Sequence, residues 1–125
     1  LILSNKKKKI ELGNINSKRD WGHAKDYVYA MWKMLQLKKP QDFVIGTGKL
    51  HSVKDFLNIA FNYVNLDYKK YIKINKKFYR PYDKFYLLAD TKKAKKTLKW
   101  RPKISFKSLV IDMVKKDLLT IKKND

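Results

Sequence analysis

The sequence of 125 residues predicts an α/β fold that is rich in helix and contains only a few short strands. Two observations predict it: apolar residues recur at helical spacing in three stretches, and the short runs typical of strands lie between those stretches. A chain of this length buries about two thirds of the surface that it exposes when unfolded, which is enough for a packed core. Because two or three isolated strands do not form a stable sheet alone, we expect residues 1–125 to be one part of a longer protein, without an internal boundary.

The first half of the chain predicts two helices with a strand between them. The first helix is expected from about residue 23 to residue 37. Its apolar residues at helical spacing, which make the predicted helix amphipathic, are Ala24, Tyr27, Val28, Met31, Met34 and Leu35. Residues 42–45 form a short apolar run closed by a Gly-Thr-Gly turn, which is typical of a buried strand. Ser52 followed by Asp55 is the signature of a capping box and predicts a second helix over about 53–64.

The second half predicts one more strand and two more helices. Residues 71–74 alternate between apolar and polar side chains, as in a strand. Residues 78–85 are aromatic and are expected to form an ordered loop. Asp90 is expected to cap a short helix, which residues 100–102 terminate, and Ser105 is expected to begin the final helix.

The charge of the chain has two interpretations. Thirty-one Lys+Arg stand against 11 Asp+Glu, giving a formal net charge of +20, which suits a nucleic acid or an anionic membrane surface. However, 28 of these cations are Lys and only 3 are Arg, and the lysines are spread along the whole chain. Proteins that read nucleic acid depend on Arg, whose planar fork pairs with phosphate and guanine. We therefore expect a solvated, Lys-rich surface, with a nucleic-acid or polyanion-binding module as the alternative.

Two classes of protein are excluded by composition. The chain has no cysteine, which excludes a disulfide-stapled scaffold and a thiolate metal site. No apolar run approaches the ~20 residues that span a bilayer. His23 and His51 lie apart without an accompanying carboxylate motif, so we expect no metal, and we expect His23 at the start of the first helix.

Two short motifs allow a cofactor-related and a structural interpretation. Residues 46–48, Gly-Thr-Gly, follow an apolar run as in a dinucleotide fingerprint, but His51 stands where the third glycine would fall, which favours a tight turn. Tyr29 and Lys33 have the Y-x-x-x-K spacing of short-chain dehydrogenases. With 8 Tyr and 28 Lys in the chain this spacing arises readily by chance, and we expect the pair on the surface of the first helix.

Two arginines are the strongest candidates for ligand binding. In a chain that uses Lys almost everywhere, Arg19 and Arg80 stand beside aromatic residues in turn-like segments. Arg is favoured over Lys where two oxygens of a phosphate are held at fixed geometry. The alternative is that each arginine stacks on a neighbouring ring, Trp21 or Tyr79, and pairs locally. The residues alone leave both interpretations open.

Several motifs, in order along most of the chain, resemble the GDP-mannose 4,6-dehydratase family. The most specific is R-D-W-G-H-A-K-D-Y-V at residues 19–28. It is followed by D-F-V-I with T-G and H-S-V, then by F-Y-R-P at 78–81 and W-R-P-K at 100–103. The resemblance runs from about residue 12 to residue 119. It is limited to the C-terminal part of the family's chain.

The resemblance implies the C-terminal substrate-binding portion of an extended short-chain dehydrogenase, a member of the NAD(P)-binding Rossmann-like superfamily, with the Rossmann core missing. It implies that the full enzyme converts GDP-mannose to GDP-4-keto-6-deoxymannose. A hydride passes from C4 of the sugar to NADP, water is eliminated across C5–C6, and the hydride returns to C6. The catalytic residues and the NADP site belong to sequence absent here, so this chain alone is expected to be inactive. The resemblance also implies a cytoplasmic homo-oligomer that binds neither membrane nor nucleic acid.

Three residues match substrate-binding positions of the family. Arg19 and Arg80, 61 residues apart, match arginines that contact the GDP portion, and are expected to converge on the diphosphate. Asp83 stands where the family has Glu and would accept a hydrogen bond from a ribose hydroxyl. Because Asp83, Lys84 and Phe85 depart from the family pattern, another extended short-chain nucleotide-sugar dehydratase or epimerase is the alternative within this class.

Overall fold

The computed structural model describes residue 2, residues 8–80 and residues 86–123. The chain forms two compact units, neither of which is a continuous segment. The first unit comprises Leu1–Lys18, Ser52–Phe85 and Val110–Asp125, and the second comprises Arg19–His51 and Tyr86–Leu109. The described residues contain β1 (Ile10–Leu12), β2 (Lys18–Arg19), α1 (Ala24–Leu35), β3 (His51–Ser52), α2 (Val53–Tyr63), β4 (Ile72–Ile74), α3 (Lys92–Thr97) and α4 (Phe106–Lys123).

The first unit contains a small parallel sheet and the predicted second helix. β1 pairs in parallel with β4, with Ile10 opposite Ile72. α2 begins with the predicted capping box, in which the Asp55 backbone N–H donates to Ser52 Oγ at 3.0 Å and the Ser52 N–H donates to the Asp55 carboxylate at 2.8 Å. The two reciprocal bonds satisfy backbone donors that the helix cannot pair internally, which is why the local sequence predicts this helix start so well.

The second unit is organised around a buried tryptophan. Trp100 is 1% exposed and clusters with Ala30, Ala94 and Leu98. Its indole N–H donates to the backbone oxygen of Asp26 at 2.9 Å, so the polar edge of the ring is paired inside the core. The W-R-P segment is thereby fixed against α1.

The bounds of α1 confirm the predicted helix, but most of the apolar residues that predicted it do not pack against the core. The buried residues of α1 are Asp26 and Ala30, with Tyr27 and Met34 partly buried against the core. The neighbouring stripe of Val28, Met31 and Leu35 is 61%, 59% and 82% exposed. We call these three residues, together with half-exposed Trp32, the outward face of α1. Helical spacing identified two adjacent apolar stripes without showing which of them packs inward.

The predicted strand at residues 42–45 is also absent as a strand. Phe43 and Ile45 are partly buried against the Trp100 cluster and Val44 between them is 56% exposed, so the alternation of an extended segment is present. Among the described residues no strand pairs with this segment, and it therefore forms no ladder. Two other strands, β2 and β3, pair with each other.

The remaining predicted elements are confirmed. The strand expected at 71–74 is β4. The N-cap of α3 is Thr91 and not the predicted Asp90, and the Thr91 side chain makes no capping bond; Asp90, one residue earlier, accepts from the Lys92 N–H through Oδ1 at 3.0 Å. Ser105 Oγ accepts from the Ser108 N–H at 3.1 Å at the start of α4, as expected. Of the loop expected at 78–85, residues 81–85 lie outside the described residues. No helix in the described part of the chain is long and apolar enough to cross a membrane.

Candidate functional site

Arg19 lies at a cleft of about 510 Å³ within the second unit. The polar side of the cleft is formed by Arg19 and Asp20, at the end of β2. The rest is aromatic or aliphatic, contributed by Trp21, Tyr27, Ile45, Gly46, Leu87, Leu88 and Ala89. A cation beside apolar walls can hold an anionic group while the walls cover the ligand's apolar surface.

Asp20 is bound by the Gly-Thr-Gly loop at residues 46–48. Its Oδ1 accepts from the Thr47 N–H at 2.8 Å and from the Thr47 hydroxyl, and its Oδ2 accepts from the Gly48 N–H at 2.8 Å. Gly48 has φ of +72°, so two successive N–H groups converge on one anion, as in a backbone nest. The loop is the tight turn that the sequence favoured, and its N–H groups bind a carboxylate of the same chain.

Gly46 is held by close packing on two sides. A Cβ atom on Gly46 would lie 2.4 Å from the Cβ of Ala89 and 2.9 Å from the Asp20 carboxylate. Both distances are shorter than van der Waals contact, so only glycine fits without displacing a neighbour. Residues 20, 46 and 89 therefore meet at one tightly packed wall of the Arg19 cleft.

Tyr27 contributes a neutral hydroxyl to the same cleft. Burial raises the pKa of the Tyr27 phenol above its usual value, and the carboxylates of Asp20 and Asp26 raise it further. The phenol therefore stays protonated at neutral pH and can donate a hydrogen bond.

Arg80 lies at a second cleft, of about 520 Å³, within the first unit. The cleft is lined by Glu11, Leu12, Gly13, Lys77, Phe78, Tyr79 and Arg80, and the cations Lys77 and Arg80 are exposed. A Cβ atom on Gly13 would lie 2.6 Å from the backbone oxygen of Phe78. The absence of a side chain at Gly13 thus lets β1 approach the segment that carries Arg80.

Among the described residues that line the Arg80 cleft, Glu11 is the one carboxylate, and it is already paired. Glu11 accepts from the Asn75 side-chain amide at 2.7 Å and forms an ion pair with Lys73 at 3.0 Å. The hydrogen bond from Asn75 lowers the pKa of Glu11 below its usual value, and Lys73 lowers it further by hydrogen bonding and charge. Because these partners offset the charge of Glu11, Lys77 and Arg80 leave the cleft attractive to an anion.

The structure places the predicted site residues as follows. Arg19 and Arg80 each line a cleft in their own unit, and Asp83 lies outside the described residues. The Trp21 ring, one alternative partner for Arg19, stacks on Phe106 with ring centroids 5.5 Å apart. The part that Asp20 plays was not predicted from the sequence; the signal for it was the Gly-Thr-Gly turn, whose backbone N–H groups donate to an acceptor.

The other candidates have structural roles. His23 is the N-cap of α1 and its Nδ1 accepts from the Lys25 N–H at 3.1 Å, which confirms the predicted position. Lys33 lies over the Tyr29 ring, 5.4 Å from its centre, on the surface of α1 as expected for the Y-x-x-x-K match. In the described ranges, no group of His, Cys, Asp or Glu is placed to hold a metal ion.

Comparison with solved structures defines the fold. The chain is similar to RMD from Pseudomonas aeruginosa complexed with NADPH, with a TM-score of 0.78 and 13% identity over 90% of this chain and 37% of that chain. It is similar to the UDP-glucose 4-epimerase of Thermotoga maritima with UDP-glucose, with a TM-score of 0.76 and 23% identity over 90% of this chain and 36% of that one. These likenesses show the fold of the extended short-chain dehydrogenases, of which this chain has the helix-rich C-terminal portion.

The family follows from sequence comparison. The model of the family described as GDP-mannose 4,6 dehydratase matches residues 1–113, so the chain belongs to that family. It is 47% identical to the GDP-mannose 4,6 dehydratase of Dictyostelium discoideum over 93% of this chain and 37% of the relative. It is 49% identical to GDP-mannose 4,6 dehydratase 1 of Arabidopsis thaliana over 88% of this chain and 30% of the relative. The chain thus spans about a third of the length of these relatives.

Proposed function

We propose that this chain is the nucleotide-sugar-binding part of a GDP-mannose 4,6-dehydratase, a hydro-lyase that converts GDP-mannose to GDP-4-keto-6-deoxymannose. The observation that carries the proposal is the position of Arg19. This residue begins the most specific family motif and lies at a cleft with apolar and aromatic walls. A nucleotide sugar has the matching chemistry, because it joins a dianionic diphosphate to a planar base and a sugar.

In this proposal Arg19 and Arg80 bind the diphosphate. A guanidinium group presents two parallel N–H donors to two phosphate oxygens, and such charge-assisted bonds are stronger than neutral ones. Lys77, exposed beside Arg80, adds a positive charge without a fixed direction. Asp83 is assigned to a ribose hydroxyl on the family resemblance alone.

We assign NADP, which takes up and returns the hydride, to a part of the enzyme outside this sequence. The loop at residues 46–48, which the sequence analysis compared with a dinucleotide fingerprint, does not fit a cofactor phosphate, because Thr47 and Gly48 donate their N–H groups to Asp20. The chain alone is therefore expected to bind GDP-mannose without turning it over. A homo-oligomeric enzyme and a cytoplasmic location belong to the proposal on the family resemblance.

Calorimetric titration of GDP into Arg19→Lys and Arg80→Lys tests the proposal. Each substitution keeps the charge and removes the fork, so GDP affinity should fall by about tenfold or more. Arg101→Lys is the matched control, since Arg101 is exposed and lines neither arginine cleft, and its GDP affinity should not change. A lowered melting temperature with unchanged GDP affinity would support local stacking in place of diphosphate binding. Turnover of GDP-mannose with added NADP by the chain alone would contradict the assignment of catalysis to another part of the enzyme.

A further inference from the structure

The carboxylate of Asp20 joins two segments that are distant in sequence. Its partners Thr47 and Gly48 lie 27 and 28 residues further along the chain, and both of its oxygens are engaged. The residue before Asp20 is Arg19, on β2, and the loop that binds Asp20 contains Gly46. Asp20 therefore connects the segment that carries Arg19 to the loop that lines the same cleft.

The nest also governs the electrostatics of the cleft. A carboxylate next to Arg19 opposes the approach of an anionic ligand. Two converging N–H dipoles and a hydroxyl direct their positive ends at Asp20, which offsets its charge. The same bonds fix the direction of the carboxylate, because both of its oxygens face the loop.

We propose that Asp20 is a positioning residue for anion binding: clamped by the Thr47–Gly48 nest, it fixes the backbone at Arg19 so that the guanidinium meets the diphosphate of the nucleotide sugar. Asp20 acts through Arg19 and does not itself contact the ligand. This inference rests on the proposed function, since it names how the Arg19 cleft of that function is held in shape.

Asp20→Asn is the most direct perturbation. The amide oxygen can still accept from the Thr47 N–H and hydroxyl, but the amide nitrogen then faces the Gly48 N–H, donor against donor. We expect GDP affinity to fall by about tenfold and guanosine affinity to stay the same, because guanosine lacks the phosphates. The matched control is Asp67→Asn, an exposed carboxylate that accepts from the Lys69 N–H at 3.0 Å and should leave both affinities unchanged.

If Asp20→Asn does not fold, two substitutions of Thr47 perturb the same contact less severely. Thr47→Val keeps the shape and removes the hydroxyl that donates to Asp20, so GDP affinity should fall by about threefold. Thr47→Ser keeps the hydroxyl and should retain normal GDP affinity. Normal GDP affinity in Thr47→Ser beside reduced affinity in Thr47→Val would show that the hydroxyl positions Asp20 and that Thr47 does more than pack the loop.

Calorimetry with GDP and with guanosine on the 125-residue chain decides between the outcomes. A loss confined to GDP in Asp20→Asn and Thr47→Val supports positioning. Equal losses for GDP and guanosine, or a lowered melting temperature with GDP affinity within twofold of the unsubstituted chain, overturn it and leave Asp20 with a structural role. If the unsubstituted chain does not bind GDP, the proposed function fails and the inference falls with it.

Discussion

Asp26→Ala should be among the most destabilising single substitutions in the second unit. Asp26 is 6% exposed, and its Oδ2 accepts from the backbone N–H groups of Lys103 at 3.0 Å and Ile104 at 2.9 Å. These bonds hold the chain between the Trp100 cluster and α4. The carboxylate thus accepts from two backbone donors that are partly shielded from water.

The magnitude follows from those two donors. Removing the carboxylate leaves both N–H groups without their partner, and each loss from a charged acceptor costs about 1.5–3 kcal/mol, so we expect about 3–6 kcal/mol in total. With a urea dependence of about 2 kcal/mol per molar, the unfolding midpoint should fall by about 2 M. Asp26→Asn keeps an oxygen for both donors and should lose less than half as much.

Urea unfolding followed by tryptophan fluorescence measures this directly, because Trp100 is buried and its indole N–H contacts the backbone oxygen of Asp26. The control is Asp117→Ala, which makes the same change of charge at an exposed position of α4 and should shift the free energy of unfolding by less than about 0.5 kcal/mol. Equal midpoints for Asp26→Ala and Asp117→Ala would refute the reasoning.

Two further predictions concern the Arg80 cleft. Gly13→Ala should lower the free energy of unfolding by about 1–3 kcal/mol and weaken GDP binding, because its Cβ would collide with the backbone oxygen of Phe78; an unchanged melting temperature and an unchanged calorimetric GDP affinity would contradict this. The pKa of Glu11 in the folded chain is below its ordinary value of 4.5, so its carboxylate stabilises the fold at pH values above 4.5. That contribution is lost as the pH falls through the lowered pKa. Urea midpoints measured from pH 6 to pH 3 should therefore fall less in Glu11→Gln than in the unsubstituted chain, and parallel curves would exclude the effect.

Local sequence signals were enough to predict the helices. The strands were harder to predict, because each depends on a partner that is distant in sequence. The capping box of Ser52 and Asp55 lies within four residues, so the sequence alone locates the start of α2. β1, by contrast, was missed, because its partner β4 lies 62 residues away, with Ile10 opposite Ile72. At residues 42–45 a short apolar run predicted a buried strand, but Val44 is 56% exposed, and a strand also needs a neighbour, which one segment does not reveal.

In the candidate site, too, residues that stand out locally were predicted, and residues whose roles depend on distant contacts were not. Arg19 and Arg80 stand out from composition, since an arginine is rare in this chain, and the structure places each at a cleft. Asp20 and Gly13 do not stand out, because their roles depend on contacts with residues 47–48 and 78. Whether the two arginines converge on one ligand stays a prediction.

The outward face of α1 has a consequence for how the chain behaves in concentrated solution. Val28, Met31 and Leu35 are more than half exposed, while every copy of the chain carries a net charge of +20. At an ionic strength of about 0.01 M the repulsion between copies extends about 30 Å, but at 1 M it extends only about 3 Å. Added salt therefore screens the charge repulsion that keeps the exposed apolar faces of two copies apart. This polypeptide should remain dispersed in dilute buffer and should scatter progressively more light as sodium chloride is added.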